Sequence, residues 1–259
     1  QDYLEQRTQW LEQLRDHGPI EAAECAGKRV VVSVDGGRVR LRRDRRGRPL
    51  SNGYHRFEAP WREPRLLCIY IIDEDGPRDR SVRSVIDGVM QVCEDEDDEV
   101  AADRLFELVG QYARALRLED AAEVMVVGDG ADWIWKRARA TLERAGVEQV
   151  TEVVDFYHAS EHVAELANDT GWGEHKRISW RHRMMRALAK SENEKRERLM
   201  SKLEGTPAAG SDYLSKHAER MDYARFRERG VVRGSGAVES AIRRVINQRL
   251  KGNAKYWKI

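Results

Sequence analysis

The sequence predicts an α/β protein: a mixed five-stranded sheet, flanked by helices and interrupted by a long all-helical segment. Three observations support this fold class. Five short apolar runs have the length and β-branched character of buried strands. Helical patterns separate the later runs, giving the order β-β-β-α-β-α-β. Residues 156–230 then contain no run suited to a strand, and a charged helical pattern follows at 231–256.

The composition limits the classes of protein to which this chain can belong. The chain has 259 residues, of which 41% are hydrophobic and 35% charged, and its net charge is +1. No run approaches the roughly 20 apolar residues of a transmembrane helix, so we expect no membrane partner. The polar start is unlike a signal peptide, and the absence of an initiator Met indicates a fragment. Cys25, Cys68 and Cys93 lack a zinc spacing and are expected to be thiols in a reducing cytoplasm.

The first half of the chain is predicted to supply a helix and a three-stranded meander. The helix covers 1–24 and ends at Gly27, and Arg29–Val34 is the first strand. A second strand begins at Val39 with arginines on its outer face, and the third is Leu66–Ile72. The loop between them mixes arginine with aromatic residues. That mixture favours nucleic acid, although such aromatics more often anchor a loop to the core.

The second half is predicted to alternate helices with strands before it becomes wholly helical. The predicted strands are Glu123–Val127 and Val150–Val154, and the predicted helices are Val100–Leu118, Ala131–Ala145, His158–Leu166, Glu174–Glu204 and Tyr213–Arg229. The helix at Glu174–Glu204 is long and basic. A solvated face explains half or more of its charges, and contact with an anionic partner is the alternative.

Acidic residues follow three of the predicted strands. Asp35 ends the first strand, Asp129 lies between two glycines after the fourth, and Asp155 ends the fifth. For Asp35, which Gly36-Gly37 follows, a hairpin turn is the commoner explanation and a ligand is the alternative. If the first and fourth strands are neighbours, Asp35 and Asp129 meet at one edge of the sheet although 94 positions separate them.

The last predicted helix carries a third carboxylate, Glu239. Steps of four place it on one helical stripe with three further side chains, which are Arg243, Asn247 and Lys251. An ion pair on a solvated face is the commoner explanation of such a stripe. A metal ligand beside a phosphate-binding strip is the functional alternative.

Three convergent carboxylates would repel one another unless a cation lay between them. Oxygen ligands suit Mg²⁺ or Mn²⁺ better than zinc. Two such ions about 4 Å apart can stabilise the attacking and leaving oxygens of a phosphoryl transfer. The three acids therefore indicate metal-dependent phosphodiester chemistry.

Five stretches of the chain resemble a known family, the DDE transposases of bacterial insertion sequences, in their Kra-type branch. These stretches are 33–40, 59–76, 126–135, 153–163 and 234–257. The resemblance implies a ribonuclease-H-like catalytic domain. It also implies that Asp35, Asp129 and Glu239 form the metal-binding triad and hold two Mg²⁺ or Mn²⁺ ions. The gap of 110 positions between Asp129 and Glu239 is similar to that of families with an all-helical insertion after the fifth strand.

The resemblance implies further site residues. Asp155 and His158 are similar to a (Cys/Asp)-x-x-His motif, whose His lies near the scissile phosphate, whereas a His lining its own helix is the alternative. The basic helix would contact transposon-end DNA, and Trp180 would stack on a flipped base unless it is a core residue. The candidates for contacts with DNA phosphates along the last helix are Arg233, Arg243, Asn247 and Lys251.

One departure from the family pattern leaves the phosphate-contacting bases open. Some relatives carry Arg and Lys in a signature around the glutamate, where this chain has Ser235 and Ile246. The implied domains are an N-terminal helical segment at 1–28, the first part of the catalytic core at 29–165, a helical insertion at 166–230 and the return to the core at 231–259.

The implied activity is hydrolysis at transposon ends followed by strand transfer. The implied partners are double-stranded transposon-end and target DNA, and further copies of the chain in a homodimer or higher oligomer on DNA, at the bacterial nucleoid. A truncated or domesticated transposase that binds DNA or a partner without catalysis is the alternative. A haloacid-dehalogenase-type phosphatase is excluded, because that family needs an acid at position 37, which is Gly.

Overall fold

The computed structural model describes residues 20–37, 39–45, 47–53, 56–72, 84–90, 98–230 and 257–258. The strands are β1 Arg29–Gly36, β2 Val39–Asp44, β3 Phe57–Glu58, β4 Trp61–Arg62, β5 Pro64–Ile72, β6 Ser84–Met90, β7 Glu123–Gly128, β8 Val150–Val154 and β9 Trp257–Lys258. The helices are α1 Ala22–Cys25, α2 Asp98–Ala115, α3 Asp132–Trp135, α4 Ala138–Glu143, α5 Phe156–Asp169, α6 Glu174–Ala189, α7 Asn193–Met200, α8 Tyr213–Lys216 and α9 Tyr223–Glu228. Short 3-10 turns lie at Leu118–Asp120, Ser201–Leu203, Pro207–Gly210 and Ala218–Met221.

Five strands form the main sheet in the order β6-β5-β1-β7-β8. The pairs β1–β5 and β5–β6 are antiparallel, and the pairs β1–β7 and β7–β8 are parallel. The prediction of an α/β protein with a mixed five-stranded sheet is therefore confirmed.

The central strands are buried on both faces. Side chains from Val30 to Val34 alternate between the two faces of β1, and all of them are buried, as are all six residues of β7. Helix α2 packs on β5 and β6. The predicted stripe is buried, with Leu105, Leu108 and Tyr112 in α2 and Leu116 directly after it. The continuous apolar runs are thus explained by burial beneath helices on a mixed sheet.

The predicted second strand is wrongly placed. Strand β2 does not pair with β1, because the chain continues in the same direction through Gly36 and Gly37. Strand β2 instead pairs with β3 and β4, and with β9, in a smaller sheet. A hairpin turn at Asp35, the commoner explanation of that sequence, is therefore wrong.

The strand that completes the main sheet is β6, which no sequence pattern indicated. Its middle contains Asp87 and Gly88, two residues that are rare in strands. The Asp87 carboxylate accepts a hydrogen bond from the Tyr112 hydroxyl at 3.0 Å. A Cβ on Gly88 would lie 2.6 Å from Leu66 Cδ2 and closer still to the Arg65 carbonyl oxygen. Both residues therefore suit this edge strand because of contacts made with other elements.

Residues 156–230 contain helices and 3-10 turns without a strand, as predicted. Three of the predicted helices are shorter than expected. The predicted helix at Glu174–Glu204 is broken at Ser191, whose φ of 55° is left-handed. The predicted helices at Ala131–Ala145 and Tyr213–Arg229 are likewise divided into shorter pieces. Among the described residues, no helix is both long enough and apolar enough to cross a membrane.

Residues 156–230, which we call the helical segment, pack along β8, the edge strand of the main sheet. The buried Tyr223 hydroxyl donates to the Val154 carbonyl at 2.9 Å, at the carboxyl end of β8. Arg220 pairs with Glu152 at 2.7 Å in the middle of that strand. These contacts cover an edge that would otherwise be open to pairing with another chain.

The close approach of Gly88 to β5 gives a test of the sheet. We expect Gly88→Ala to lower the free energy of unfolding by about 1–3 kcal/mol, because the added methyl group has to displace the backbone of a neighbouring strand. Urea denaturation measures the change. The matched control is Gly210→Ala, since a Cβ at that exposed position meets nothing within 4 Å. Equal stability of the two variants would contradict the described pairing of β5 with β6.

Candidate active site

Parallel pairing brings Asp35 and Asp129 to the same edge of the sheet. Every residue of β1 in this pairing lies opposite the residue 94 positions later, from Arg29 with Glu123 to Ser33 with Val127. Asp35 follows Ser33 by two residues and Asp129 follows Val127 by two residues, so both acids come directly after this pairing. Because side chains alternate between faces within a strand, the Asp35 side chain lies on the same face of β1 as that of Ser33.

Backbone amides orient both carboxylates. Asp35 Oδ1 accepts a hydrogen bond from its neighbour, the Gly36 amide, at 2.7 Å. Asp129 Oδ1 accepts one from the Ala131 amide at 2.8 Å. Both side chains are half-buried. The edge therefore carries two fixed, partly exposed carboxylates on adjacent strands.

Asp155 continues this row of acids but has a different role. Strand β8 pairs with β7 at an offset of 26 positions, which aligns Asp155 with Asp129. The Asp155 side chain is fully buried and caps α5, where it accepts hydrogen bonds from the amides of Tyr157 and His158. Its burial and its two amide donors indicate that it begins the helix.

His158 lies in the first turn of α5, at the same edge. Its Nδ1 is 3.4 Å from a Glu161 carboxylate oxygen. Its Nε2 is buried and has no hydrogen-bond partner within the described parts of the chain. An unpartnered buried nitrogen is costly, so this atom suits a ligand or substrate hydrogen bond. His162, one turn later, stacks on the Tyr213 ring at 3.8 Å.

Two side chains of the helical segment hold the loop that carries Asp129. The Tyr213 hydroxyl donates to the Asp129 carbonyl at 2.7 Å, and His217 hydrogen-bonds the backbone of Gly130. Gly130 has a φ of 98°, and a Cβ there would lie 2.6 Å from the Tyr213 hydroxyl oxygen. We call this pair, Tyr213 and His217, the loop clamp. It fixes the backbone on which the Asp129 carboxylate is mounted.

The loop clamp also responds to the charges around it. Burial raises the pKa of Tyr213, and the negative charges of Asp129 and Asp155 raise it further. The hydroxyl therefore stays protonated and donates. Burial lowers the pKa of His217 below its ordinary value of 6.5, and the positive charges of Arg220 and Lys216 lower it further. His217 is therefore neutral near pH 7.

The sequence did not indicate the loop clamp as part of the site. Tyr213 and Asp129 are 84 positions apart, and no local pattern pairs them. The only hint was the glycine after Asp129, whose positive φ and close contact leave no room for a side chain.

The third predicted ligand, Glu239, lies outside the described residues. So do the predicted phosphate-contacting residues, which are Arg233, Arg243, Asn247 and Lys251. Within the described parts of the chain, no group of three or more His, Cys, Asp or Glu side chains is arranged to hold a metal ion.

Trp180 is a core side chain. It is 2% exposed, and its indole N–H donates to the Leu199 carbonyl at 2.8 Å. It packs edge-on against Trp172, with 6.3 Å between ring centroids. Stacking on a flipped base would require it to leave this core, so we retain no DNA-binding role for Trp180.

Comparisons with protein-family models, with curated proteins and with solved structures found no match.

The loop clamp predicts a measurable loosening of the Asp129 loop. Tyr213→Phe removes the hydroxyl but keeps the ring stacked on His162. We expect the free energy of unfolding to fall by about 1 kcal/mol and amide exchange at 128–131 to accelerate. Urea denaturation and hydrogen–deuterium exchange measure these effects. The control is Tyr157→Phe, at a side chain that is 65% exposed. If both variants exchange alike, the hydroxyl does not hold the loop.

The lowered pKa of His217 predicts a pH-dependent stability. The unfolded chain binds a proton at this residue at a higher pH than the folded chain does. Stability should therefore be lost as the pH falls from about 7 towards 5, through the ordinary pKa of histidine. Denaturation series across this range should show a shallower pH slope for His217→Gln. The same substitution at the exposed His182 is the control, and an equal change of slope there would contradict the assignment.

Proposed function

We propose that the chain is a DDE-type DNA transposase with a ribonuclease-H-like catalytic domain. The observation that carries the proposal is the alignment of Asp35 and Asp129 at the carboxyl ends of two adjacent parallel strands. The resemblance of the sequence around these acids predicted that they meet. The pairing of the two strands that precede these acids supports that prediction, although 94 positions separate Asp35 from Asp129 in the chain.

The order of strands supports the ribonuclease-H-like part of the proposal. Numbered by their appearance in the main sheet, the first strand β1 and the fourth strand β7 lie side by side, as they do in that fold. Strands β1, β5 and β6 form an antiparallel meander that precedes β7 in the chain. The helical segment after β8 lies where the resemblance places an all-helical insertion.

The carboxylates at this edge fit hard divalent cations. Asp35 and Asp129, with Glu239 as the third ligand, would supply only oxygen atoms, which Mg²⁺ and Mn²⁺ prefer. When bound, two such ions stabilise the attacking and leaving oxygens of a phosphodiester displacement. The backbone amides of Gly36 and Ala131 keep the two carboxylates oriented.

His158 supports a role for this edge in binding phosphate. The ring is 30% exposed, and a ring nitrogen that carries the proton can donate a hydrogen bond to an oxygen of the scissile phosphate. The basic helix α6 presents arginines and histidines on one exposed face, which are His175, His182, Arg183 and Arg186. Contacts between these arginines and phosphates would add affinity without sequence specificity.

The triad gives a direct test of the proposed activity. We expect Asp35→Asn, Asp129→Asn and Glu239→Gln each to lower end cleavage and strand transfer by at least about a hundredfold, because each removes a charge that holds the cations. The assay supplies the DNA that flanks this coding sequence, with Mg²⁺ or Mn²⁺, and separates nicked and joined products on gels. The control is Glu194→Gln, an exposed acid paired with Arg198 at 3.0 Å.

Pre-nicked ends separate the two reactions. If any triad variant still joined pre-nicked ends to target DNA, the two steps would not share one site. If the native chain bound these ends but cut none of them with either metal, it would be a transposase-derived DNA-binding protein without catalysis.

A further inference from the structure

The chain between β1 and β5 forms an arm that projects from the sheet. In the main sheet Arg29 pairs with Ile72 and Gly36 with Arg65, so paired residue numbers add up to 101. The pairs of β2 with β3 and β4 keep the same total. Strands β1 and β2 therefore form one side of a single long hairpin, and β3, β4 and β5 form the other. We call residues 39–62 the hairpin arm.

The hairpin arm extends past the edge that carries the acids. Asp44, the end of β2, lies nine positions after Asp35, which corresponds to about 30 Å of extended strand. The Gly37 amide donates to the Pro64 carbonyl at 2.8 Å, and the Arg45 amide donates to the Arg56 carbonyl at 2.7 Å. The backbone hydrogen bonds between the two sides of the hairpin therefore continue at the base of the arm and near its tip.

The two faces of the arm differ. Val39 and Arg62 lie opposite each other and are buried. On the other face, the Arg40 guanidinium lies over the Trp61 ring, 4.6 Å from its centroid. Arg42 lies over the Phe57 ring at the same distance.

Both aromatic rings on this second face are partly exposed. Trp61 is 51% exposed and Phe57 is 41% exposed. Strand alternation and register place Arg40, Arg42 and both rings on one side of the arm. This side of the arm therefore carries two arginines, each stacked on one of two aromatic rings.

The arm is strongly basic in a nearly neutral chain. Residues 39–62 contain eight arginines and two acidic residues, an excess of six positive charges, whereas the net charge of the whole chain is +1. Glu58, one of the two acids, pairs with Arg45 at 2.8 Å. The partner that complements this surface is therefore a polyanion.

We propose that the hairpin arm binds single-stranded DNA. Exposed aromatic rings stack on unpaired bases, and arginines contact the phosphates between them, which is the usual chemistry of single-strand binding. A duplex satisfies this surface less well, because its bases already stack on one another. The choice of DNA over RNA rests on the proposed transposase function, since the arm begins four residues after Asp35.

Binding without metal tests the arm separately from catalysis. The full chain carrying Asp35→Asn is titrated, in EDTA, against a fluorescent oligothymidylate of about 16 nucleotides. We expect tighter binding to this strand than to a duplex or an oligouridylate of the same length. Trp61→Leu, which keeps apolar bulk but loses the aromatic face, should weaken binding about tenfold, and Trp61→Phe should restore most of it. Unfolding free energies measured alongside show that each variant is folded.

Charge is tested through salt dependence. Arg40→Ala with Arg42→Ala should flatten the slope of log affinity against log salt by about 0.7 for each lost phosphate contact. Arg144→Ala, at an exposed arginine outside both the arm and the predicted basic helix, is the matched control. Equal or tighter binding of duplex or RNA, or unchanged binding by Trp61→Leu, would overturn the proposal. Binding through the arm by a native chain that cuts no DNA would overturn only the proposed catalysis.

Discussion

The parallel pairing of β1 with β7 is the constraint on which the candidate site depends. It fixes one register over five residue pairs, and that register determines which side chains meet at the carboxyl edge. A slip of one position would turn Asp129 to the opposite face of the sheet. The burial of both apolar strands therefore stabilises the register that brings Asp35 and Asp129 to this edge.

Sequence patterns located most of the sheet because its strands are continuous apolar runs. They also located Asp35 and Asp129, since an acid that ends such a run is conspicuous. Sequence patterns failed where the same local residues are compatible with either a turn or a strand. Gly36-Gly37 resembles a turn, yet the partner strand holds the chain in the same direction there. Asp87-Gly88 resembles a loop, yet contacts with α2 and β5 keep it in a strand.

The loop clamp shows why the rest of the site could not be predicted. Its two side chains come from a helical segment whose own pattern indicates only packing. Their partners are backbone atoms at 129 and 130, and backbone atoms leave no mark in a sequence. The clamp also connects the helical segment to the candidate site, because hydrogen bonds from that segment hold the loop that carries one proposed ligand.

The path of the helical segment limits how the chain can return to the site. The segment leaves the sheet at Asp155, on the carboxyl edge, and ends at the opposite edge, where Arg229 pairs with Glu123 at 2.6 Å. Glu239 follows Gly230 by nine residues, and the height of β1 from Arg29 to Asp35 is about 20 Å. Nine residues of continuous helix advance only about 14 Å, whereas nine extended residues reach about 30 Å. The length of this nine-residue connection is therefore as important to the proposed triad as the acid itself, because it sets how far Glu239 can reach from Gly230.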